Sequence, residues 1–109
     1  MHKTLVAIVC IGLSLPAWAD QAMLSLAKKS GCLACHSIEK KLVGPAWQEV
    51  AIRYRNDSAA KPKLMEKIKK GGKGNWIDVT GGASMPAFAY LGEPNIGKLV
   101  DFVLSLTPQ

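Results

Sequence analysis

The sequence of 109 residues has few of the side chains that bind metals or form crosslinks: three cysteines and two histidines. Cys10 and His2 lie in or beside an N-terminal apolar segment, so the rest of the chain has only Cys32, Cys35 and His36. A zinc site needs a second pair of cysteines or histidines, and none is available. A redox-active dithiol would normally lie between a strand and a helix, and no convincing strand pattern is present.

The chain also lacks a hydrophobic run long enough to span a membrane. The apolar segment from Thr4 to Leu15 is well short of the roughly 20 residues that a spanning helix needs. It follows a short basic start and precedes Ala17-Trp18-Ala19, a small-x-small cleavage site. These features predict a secretory signal peptide over residues 1–19. The exported protein would be a single domain, residues 20–109, without a transmembrane anchor.

Positive charge exceeds negative charge in this sequence. The net charge is +6, and removal of residues 1–19, whose one charged side chain is Lys3, leaves +5. A basic surface can bind nucleic acid, an anionic membrane or an acidic protein partner. Export argues against nucleic acid. Lysines that only keep the protein soluble are the alternative.

The pentapeptide Cys32-Leu33-Ala34-Cys35-His36 is the most informative motif. Two cysteines separated by two residues and followed by histidine are typical of covalent c-type haem attachment. The two thiols add to the haem vinyl groups, and the imidazole of His36 becomes an axial iron ligand. A covalent haem would also give an apolar nucleus to a short chain that buries only a modest core on its own.

Helical spacing of apolar residues predicts an all-α fold of about four helices. The segment between Asn75 and Leu91 has no strong periodicity, and we expect a long loop there, of the kind that usually carries function. The predicted helices cover, approximately, Asp20–Ser30, Pro45–Tyr54, Ala59–Lys70 and Glu93–Leu106. Asp20 can cap the first helix, and Pro108 stops the last one. The predicted buried stripe of the last helix is Ile96, Leu99, Val100, Val103 and Leu104.

A haem iron bound by His36 needs a sixth ligand or an open site, and the candidates are Met23, Met65 and Met85. Met23 and Met65 lie at helical spacing among apolar neighbours, where methionine usually fills a core. Met85 precedes Pro86 in the unpatterned segment, and proline restricts the residue before it to extended geometry. A stiff loop that presents one thioether makes Met85 the predicted axial ligand, with ordinary loop packing as the alternative.

The chain resembles a small monohaem class I cytochrome c of the bacterial c-551 group. The resemblance implies a class I cytochrome c fold wrapped around one covalent haem c. It also implies an electron carrier rather than an enzyme. The matching stretches are Gly31–His36, Val43–Trp47, Ile68–Gly71, Gly74–Trp76, Met85-Pro86 and the terminal helix Leu99–Leu106.

The resemblance assigns further cofactor-binding roles. The carbonyl of Pro45 would accept a hydrogen bond from the ring of His36, and Trp47 would pack beside the haem. Trp76 matches a tryptophan whose indole reaches a haem propionate, and Lys67 matches a basic position near a propionate. Plain core packing is the alternative for the tryptophans, and a solvated lysine is the alternative for Lys67.

Three positions depart from the group's pattern. Ala27 stands where an aromatic residue is common in the first helix, which weakens the expected ring contact with the last helix, although a small residue permits a closer approach of the two helices. Phe88 replaces an asparagine that often hydrogen-bonds the methionine sulfur, which predicts a drier sulfur environment. The stretch Ile77–Ser84 is longer and richer in glycine than in the shortest members.

The resemblance also implies a place in respiration. The protein would be a periplasmic monomer that shuttles single electrons from a donor such as a bc-type complex to nitrite reductase or a terminal oxidase. Alternatives are a haem subunit or accessory domain of a larger redox complex, and a haem sensor or enzyme with a labile sixth ligand. Partners would dock at a lysine-rich haem edge, for which the candidates are Lys28, Lys29, Lys40, Lys41 and Lys73.

Overall fold

The chain folds into five α-helices in a computed structural model that describes residues 4–8 and 17–106. Two single 3₁₀ turns, Cys32–Ala34 and Ala89–Leu91, lie between helices. The described residues form no β-strand beyond two isolated bridges, so the all-α prediction is confirmed. The helices are α1 (Ala17–Lys29), α2 (Trp47–Tyr54), α3 (Ala60–Lys70), α4 (Ile77–Thr80) and α5 (Glu93–Leu104).

Helix α4 is an addition to the four predicted helices, and it lies in the segment expected to be an unpatterned loop. It has four residues, a single turn, which is too short to produce a 3.6-residue hydrophobic period. Gly81 follows it with φ +66° and ψ 13°, a left-handed conformation that glycine adopts without a steric cost. The remainder of the segment contains one 3₁₀ turn and otherwise irregular backbone.

The boundaries of the other helices differ from the predictions by a few residues. Helix α1 begins at Ala17, so Asp20 lies in its first turn instead of capping it. Helix α2 begins at Trp47, two residues after its predicted start at Pro45. Helix α5 ends at Leu104, two residues before the predicted end.

Helix α5 forms the centre of the core, against which α1, α2 and α3 pack. It buries four of the five residues of the predicted stripe, Ile96, Leu99, Val100 and Val103. Phe102 is buried as well, whereas Leu104, expected in the stripe, is only half-buried. Ala27 of α1 is fully buried in the same cluster as Leu99, Phe102 and Val103, and its small side chain lets α1 approach α5 closely.

The predicted signal peptide lies largely outside the described residues, as do residues 107–109 with the predicted stop at Pro108. Residues 4–8 are exposed, including Leu5 at 96% and Ile8 at 85% of full accessibility, so these apolar side chains take no part in the core. Among the helices in the described ranges, none has the length and apolar character to cross a membrane.

Candidate functional site

A largely apolar cleft opens beside α5, with about 1180 Å³ of empty space when its open mouth is included. One part of its lining comes from residues 31–50, and a second part comes from residues 64–88. Leu99, Val100 and Val103 of α5 complete it. We call residues 31–47 the His36 segment and residues 67–88 the Met85 segment.

All eight predicted cofactor-binding residues line this one cleft, although they are spread over more than 50 positions of the sequence. Met23 and Met65 are not among its lining residues. Met23 packs against the buried cluster, and Met65 lies beside Gly97 of α5. The eight residues are Cys32, Cys35, His36, Pro45, Trp47, Lys67, Trp76 and Met85.

The imidazole of His36 is held by a hydrogen bond and by close packing. Its Nδ1 lies 2.8 Å from the carbonyl oxygen of Pro45, as expected. A carbonyl only accepts, so Nδ1 carries the proton and the lone pair of the neutral ring is on Nε2. The ring stacks on Trp47 with 5.8 Å between centroids, and a Cβ on Gly44 would lie 2.6 Å from its Cε1 atom. The ring is therefore fixed in orientation.

Burial also favours the neutral form of His36. It lowers the pKa of the imidazole below its ordinary value of 6.5, and the hydrogen bond to Pro45 opposes this shift only in part. The neutral ring is the form that binds a metal.

The two cysteines flank a single tight turn. The backbone N–H groups of Cys35 and His36 both donate to the carbonyl of Cys32, at 3.2 and 3.0 Å. One turn of chain thus carries both thiols and the imidazole. Burial raises the pKa of the Cys32 thiol, whereas an activated redox dithiol needs a lowered one. In the described part of the chain no three His, Cys, Asp or Glu side chains group as a metal site would require.

Met85 is anchored through its backbone to the chain that follows α3. The N–H of Gly72 donates to the carbonyl of Met85 at 2.8 Å, and the N–H of Met85 donates to the carbonyl of Gly72 at 3.0 Å. A Cβ on Gly71, which has φ +66°, would collide with the carbonyl oxygen of Met85. Beyond Met85, the N–H of Phe88 donates to Ile68 at 2.8 Å. These hydrogen bonds therefore fix the backbone of the unpatterned segment at Met85, the residue that carries the thioether.

Lys67 reaches the same junction. Its Nζ donates to the carbonyls of Gly71 at 3.2 Å and Gly72 at 2.6 Å, at the C-terminus of α3. Cations are favourable at that end of a helix. The Gly72 carbonyl thus accepts from both Lys67 and Met85. Partial burial lowers the pKa of the ammonium. Sequence reasoning missed this contact, because no local pattern links a lysine to the carbonyls of a glycine turn.

Arg53 is a second residue that sequence reasoning missed. Its Cζ atom lies 3.4 Å from the ring centroid of Trp76, which is itself buried. Arg53 follows Val50 by three positions on α2, which places it near the buried face of that helix. That spacing is the one signal that could have drawn attention to it.

The five lysines proposed to surround a docking edge are all exposed. Lys73 lines the cleft, and Lys40 lines a second, shallower depression that His36 also borders. Lys28 and Lys29 end α1, and Lys41 pairs with His36 in an isolated bridge.

The lining fits a flat, largely apolar cofactor with two points of covalent attachment. It provides two thiols, an oriented neutral imidazole and a thioether, and Gly44 and Gly71 allow backbone to pass where a Cβ would collide. Fold and cleft together define a small all-α protein built around a haem of the c type.

Comparison with known proteins reaches the same class. The family model described as cytochrome c matches residues 25–107. Cytochrome c-551 of Allochromatium vinosum is 46% identical over 85 residues, which cover 78% of this chain and 86% of that protein. Cytochrome c2 of Rhodocyclus tenuis is 45% identical over 89 residues, with 81% and 94% covered.

A solved structure extends the similarity to three dimensions. The crystal structure of Nitrosomonas europaea cytochrome c552 superimposes with a TM-score of 0.69 at 37% identity, covering 77% of this chain and 99% of that one. The chain belongs to the cytochrome c family. It is a small electron-transfer haem protein of the c-551 group, with one haem c held covalently through Cys32 and Cys35.

Proposed function

We propose that this protein carries single electrons in the periplasm, with His36 and Met85 as the axial ligands of the haem iron. One observation carries the proposal: both side chains line the cleft that also contains Cys32 and Cys35. Backbone hydrogen bonds anchor each of them independently. When both axial positions are filled, no coordination site is open for a substrate, and electron exchange is the chemistry that remains.

The chain's own residues tune this site in separate ways. The bond from Nδ1 of His36 to Pro45 leaves Nε2 to bind iron and raises the basicity of the ring. Haem bound by histidine and methionine has a raised reduction potential. Trp47 would pack beside the macrocycle. The indole of Trp76 and the ammonium of Lys67 would each donate to a propionate, which is supported by their place in the cleft lining.

Export and docking complete the proposal. The signal peptide over residues 1–19 is supported by the exposure of residues 4–8. The mature monomer would accept electrons from a bc-type complex and deliver them to nitrite reductase or a terminal oxidase. The exposed lysines would steer docking, so the rate of electron exchange should fall as ionic strength rises. A rate indifferent to salt would contradict this role.

The test of axial ligation is the visible spectrum of Met85→Ala, with Met65→Ala as the control. Met85→Ala should lose the weak ferric absorbance band at the red end of the spectrum and bind carbon monoxide readily when reduced. Its potential should fall by on the order of tenths of a volt. Met65→Ala should keep the band, because Met65 packs beside α5. An unchanged spectrum in Met85→Ala would remove Met85 as the ligand.

Two exposed apolar side chains favour a second candidate, a haem subunit of a larger redox complex. Leu42 and Val43 are 46% and 53% exposed, and Val43 borders the cleft. Exposed apolar surface beside a functional site is typical of a protein interface. Gel filtration of the purified mature protein at several concentrations distinguishes the two, since a free carrier elutes as a monomer.

A further inference from the structure

Arg53 lies outside the cleft lining but makes three contacts with the chain around Trp76. Its guanidinium lies over the indole at 3.4 Å. Its Nη1 donates to the carbonyl of Asn75 at 3.0 Å, and its Nη2 pairs with the carboxylate of Asp78 at 3.1 Å. One side chain thus contacts the residue before the tryptophan, the ring itself, and the residue two positions beyond.

The backbone around Trp76 has little other support. Gly72 and Gly74 precede it and Gly81 and Gly82 follow it, all with positive φ. Trp76 caps the four-residue helix α4, since its carbonyl accepts hydrogen bonds from Val79 and Thr80 at 2.9 and 2.8 Å. A single helical turn between glycine pairs is not stable by itself. The ring of Trp76 packs in the buried cluster with Val50 and Leu99, and Arg53 ties this ring to the weakly supported backbone on either side of it.

We propose that Arg53 is a positioning residue that holds the indole of Trp76 in place against the cleft. Only arginine among the cationic side chains can stack flat on an aromatic ring while donating sideways to two different acceptors, because its guanidinium is planar and its N–H groups lie in that plane. A lysine presents a point charge and cannot make the same three contacts.

This arrangement also affects the haem, and that effect rests on the proposed function. If Trp76 donates to a propionate, a fixed indole lowers the pKa of that propionate and keeps it ionised. Arg53 also pairs with Asp78, so a carboxylate near Trp76 is neutralised rather than left to repel a propionate. Loss of Arg53 should therefore alter how the reduction potential depends on pH.

The experiment compares Arg53→Lys with Arg55→Lys in the reduced holoprotein. Arg55 is exposed at the C-terminal end of the same helix, so this control makes the same chemical change two residues away. The readout is the indole N–H resonance of Trp76, assigned by its loss in Trp76→Phe. In Arg53→Lys the resonance should shift, and its hydrogen exchange should accelerate by about fivefold or more. Asp78→Asn should give a smaller change in the same direction.

An Arg53→Lys protein whose Trp76 resonance and exchange rate match those of Arg55→Lys would overturn the proposal. A lowered thermal midpoint alone, without a change at the indole, would also count against it. The pH dependence of the potential tests the haem consequence separately. If it is unchanged in both Trp76→Phe and Arg53→Lys while the indole signal moves in Arg53→Lys, the positioning role stands and the propionate role of Trp76 fails.

Discussion

The His36 segment and the Met85 segment line the same cleft but are held by different kinds of contact. In the His36 segment the anchoring bonds are local: the ring of His36 bonds to a carbonyl 9 residues away, and the N–H of Gly44 donates to Cys35 at 2.7 Å. In the Met85 segment the anchoring bonds span more of the chain: Met85 bonds to Gly72, 13 residues away, and Phe88 bonds to Ile68 of α3, 20 residues away. One proposed axial ligand thus depends on a short stretch of chain, and the other depends on where a longer loop meets the C-terminal end of α3.

This difference sets an expected order of loss. Local turns persist when long-range contacts open, and regions held by a few exposed backbone bonds open at a lower free energy than the core. We therefore expect the bond between Met85 and iron to break under conditions that leave the His36 segment intact. Substitutions confined to one segment test whether the two segments are held independently.

The largest loss of stability is expected from Gly71→Ala, a substitution in the Met85 segment. Gly71 has φ +66° and ψ −152°, a region that is essentially restricted to glycine, and its Cβ would collide with the Met85 backbone. The free energy of unfolding should fall by about 3 kcal/mol or more, and the ferric band of methionine ligation should weaken. Denaturant unfolding and the visible spectrum measure the two effects.

Gly81→Ala is the control for Gly71→Ala. Gly81 also has φ +66°, but nothing lies within 4 Å of its Cβ position. It should lose only about 1 kcal/mol, the cost of the left-handed conformation, and keep the ferric band. Equal losses in the two variants would mean that the contact with Met85 contributes nothing.

A smaller effect is expected from Gly44→Ala in the His36 segment. The added Cβ would lie 2.6 Å from His36 Cε1, so the ring must move and its bond to Pro45 must lengthen. The obstacle is a side chain rather than backbone, so we expect a loss of about 2 kcal/mol. The main absorption band should shift while the methionine band remains. Loss of the methionine band instead would show that the segments are not independent.

Gly97→Ala provides the matched reference for that substitution. Gly97 is buried within α5, and a Cβ there would meet Met65 Cε at 3.7 Å, an ordinary van der Waals contact. Alanine has the higher helix propensity, so stability should rise by up to about 1 kcal/mol. Thermal unfolding of the two variants in parallel checks the sign of the difference.

Lys67→Met should have a weaker effect, again confined to the Met85 segment. It removes the ammonium from the carbonyls of Gly71 and Gly72, and the Gly72 carbonyl keeps only its hydrogen bond from the N–H of Met85. We expect a loss of about 1 kcal/mol and faster carbon monoxide binding to the reduced protein. Lys70→Met, which breaks only a surface ion pair with Glu66, should change neither. Equal carbon monoxide rates in the two variants would remove Lys67 from the anchoring of Met85.

The same difference explains how much could be predicted from the sequence. The determinants of the His36 segment lie within fifteen or so positions: the spacing of the motif singles out the cysteines and His36, and the family resemblance implies the bond to Pro45 that the structure contains. Helices α3 and α5 were predicted because each is long enough to repeat its apolar residues at helical spacing. Met85 is the predicted ligand because Pro86 stiffens the residue before it.

What the sequence could not predict lies where contacts join distant positions. The bridge between Gly72 and Met85, the bonds of Lys67 and the stacking of Arg53 on Trp76 each depend on how helices meet. Phe102 is buried although its position departs from the predicted stripe, because it packs edge-on against Trp47 at 6.1 Å. No periodic pattern encodes such pairs.

The smallest effect is expected at Asp57, just before α3 and at the opposite end of that helix from Gly71. Asp57 accepts from the N–H of Ala59 at 2.9 Å and pairs with Lys63 at 2.7 Å. The hydrogen bond from Lys63 holds the pKa of this carboxyl below its ordinary value of 3.8. The folded state therefore gains stability from the ionised form above that value, and loses it as the pH falls through the lowered pKa.

Asp57→Asn should remove this part of the acid dependence and lower the thermal midpoint slightly at neutral pH. Both effects should be small, because the pair is at the surface. Unfolding measured between about pH 6 and pH 2 tests the first, and the ferric band tests the link to Met85. The band should be unchanged, because α3 anchors Met85 only through its C-terminal end. If Asp57→Asn weakened the band as much as Lys67→Met, both ends of α3 would contribute to holding Met85. The His36 segment would then depend on a turn, and the Met85 segment on an entire helix.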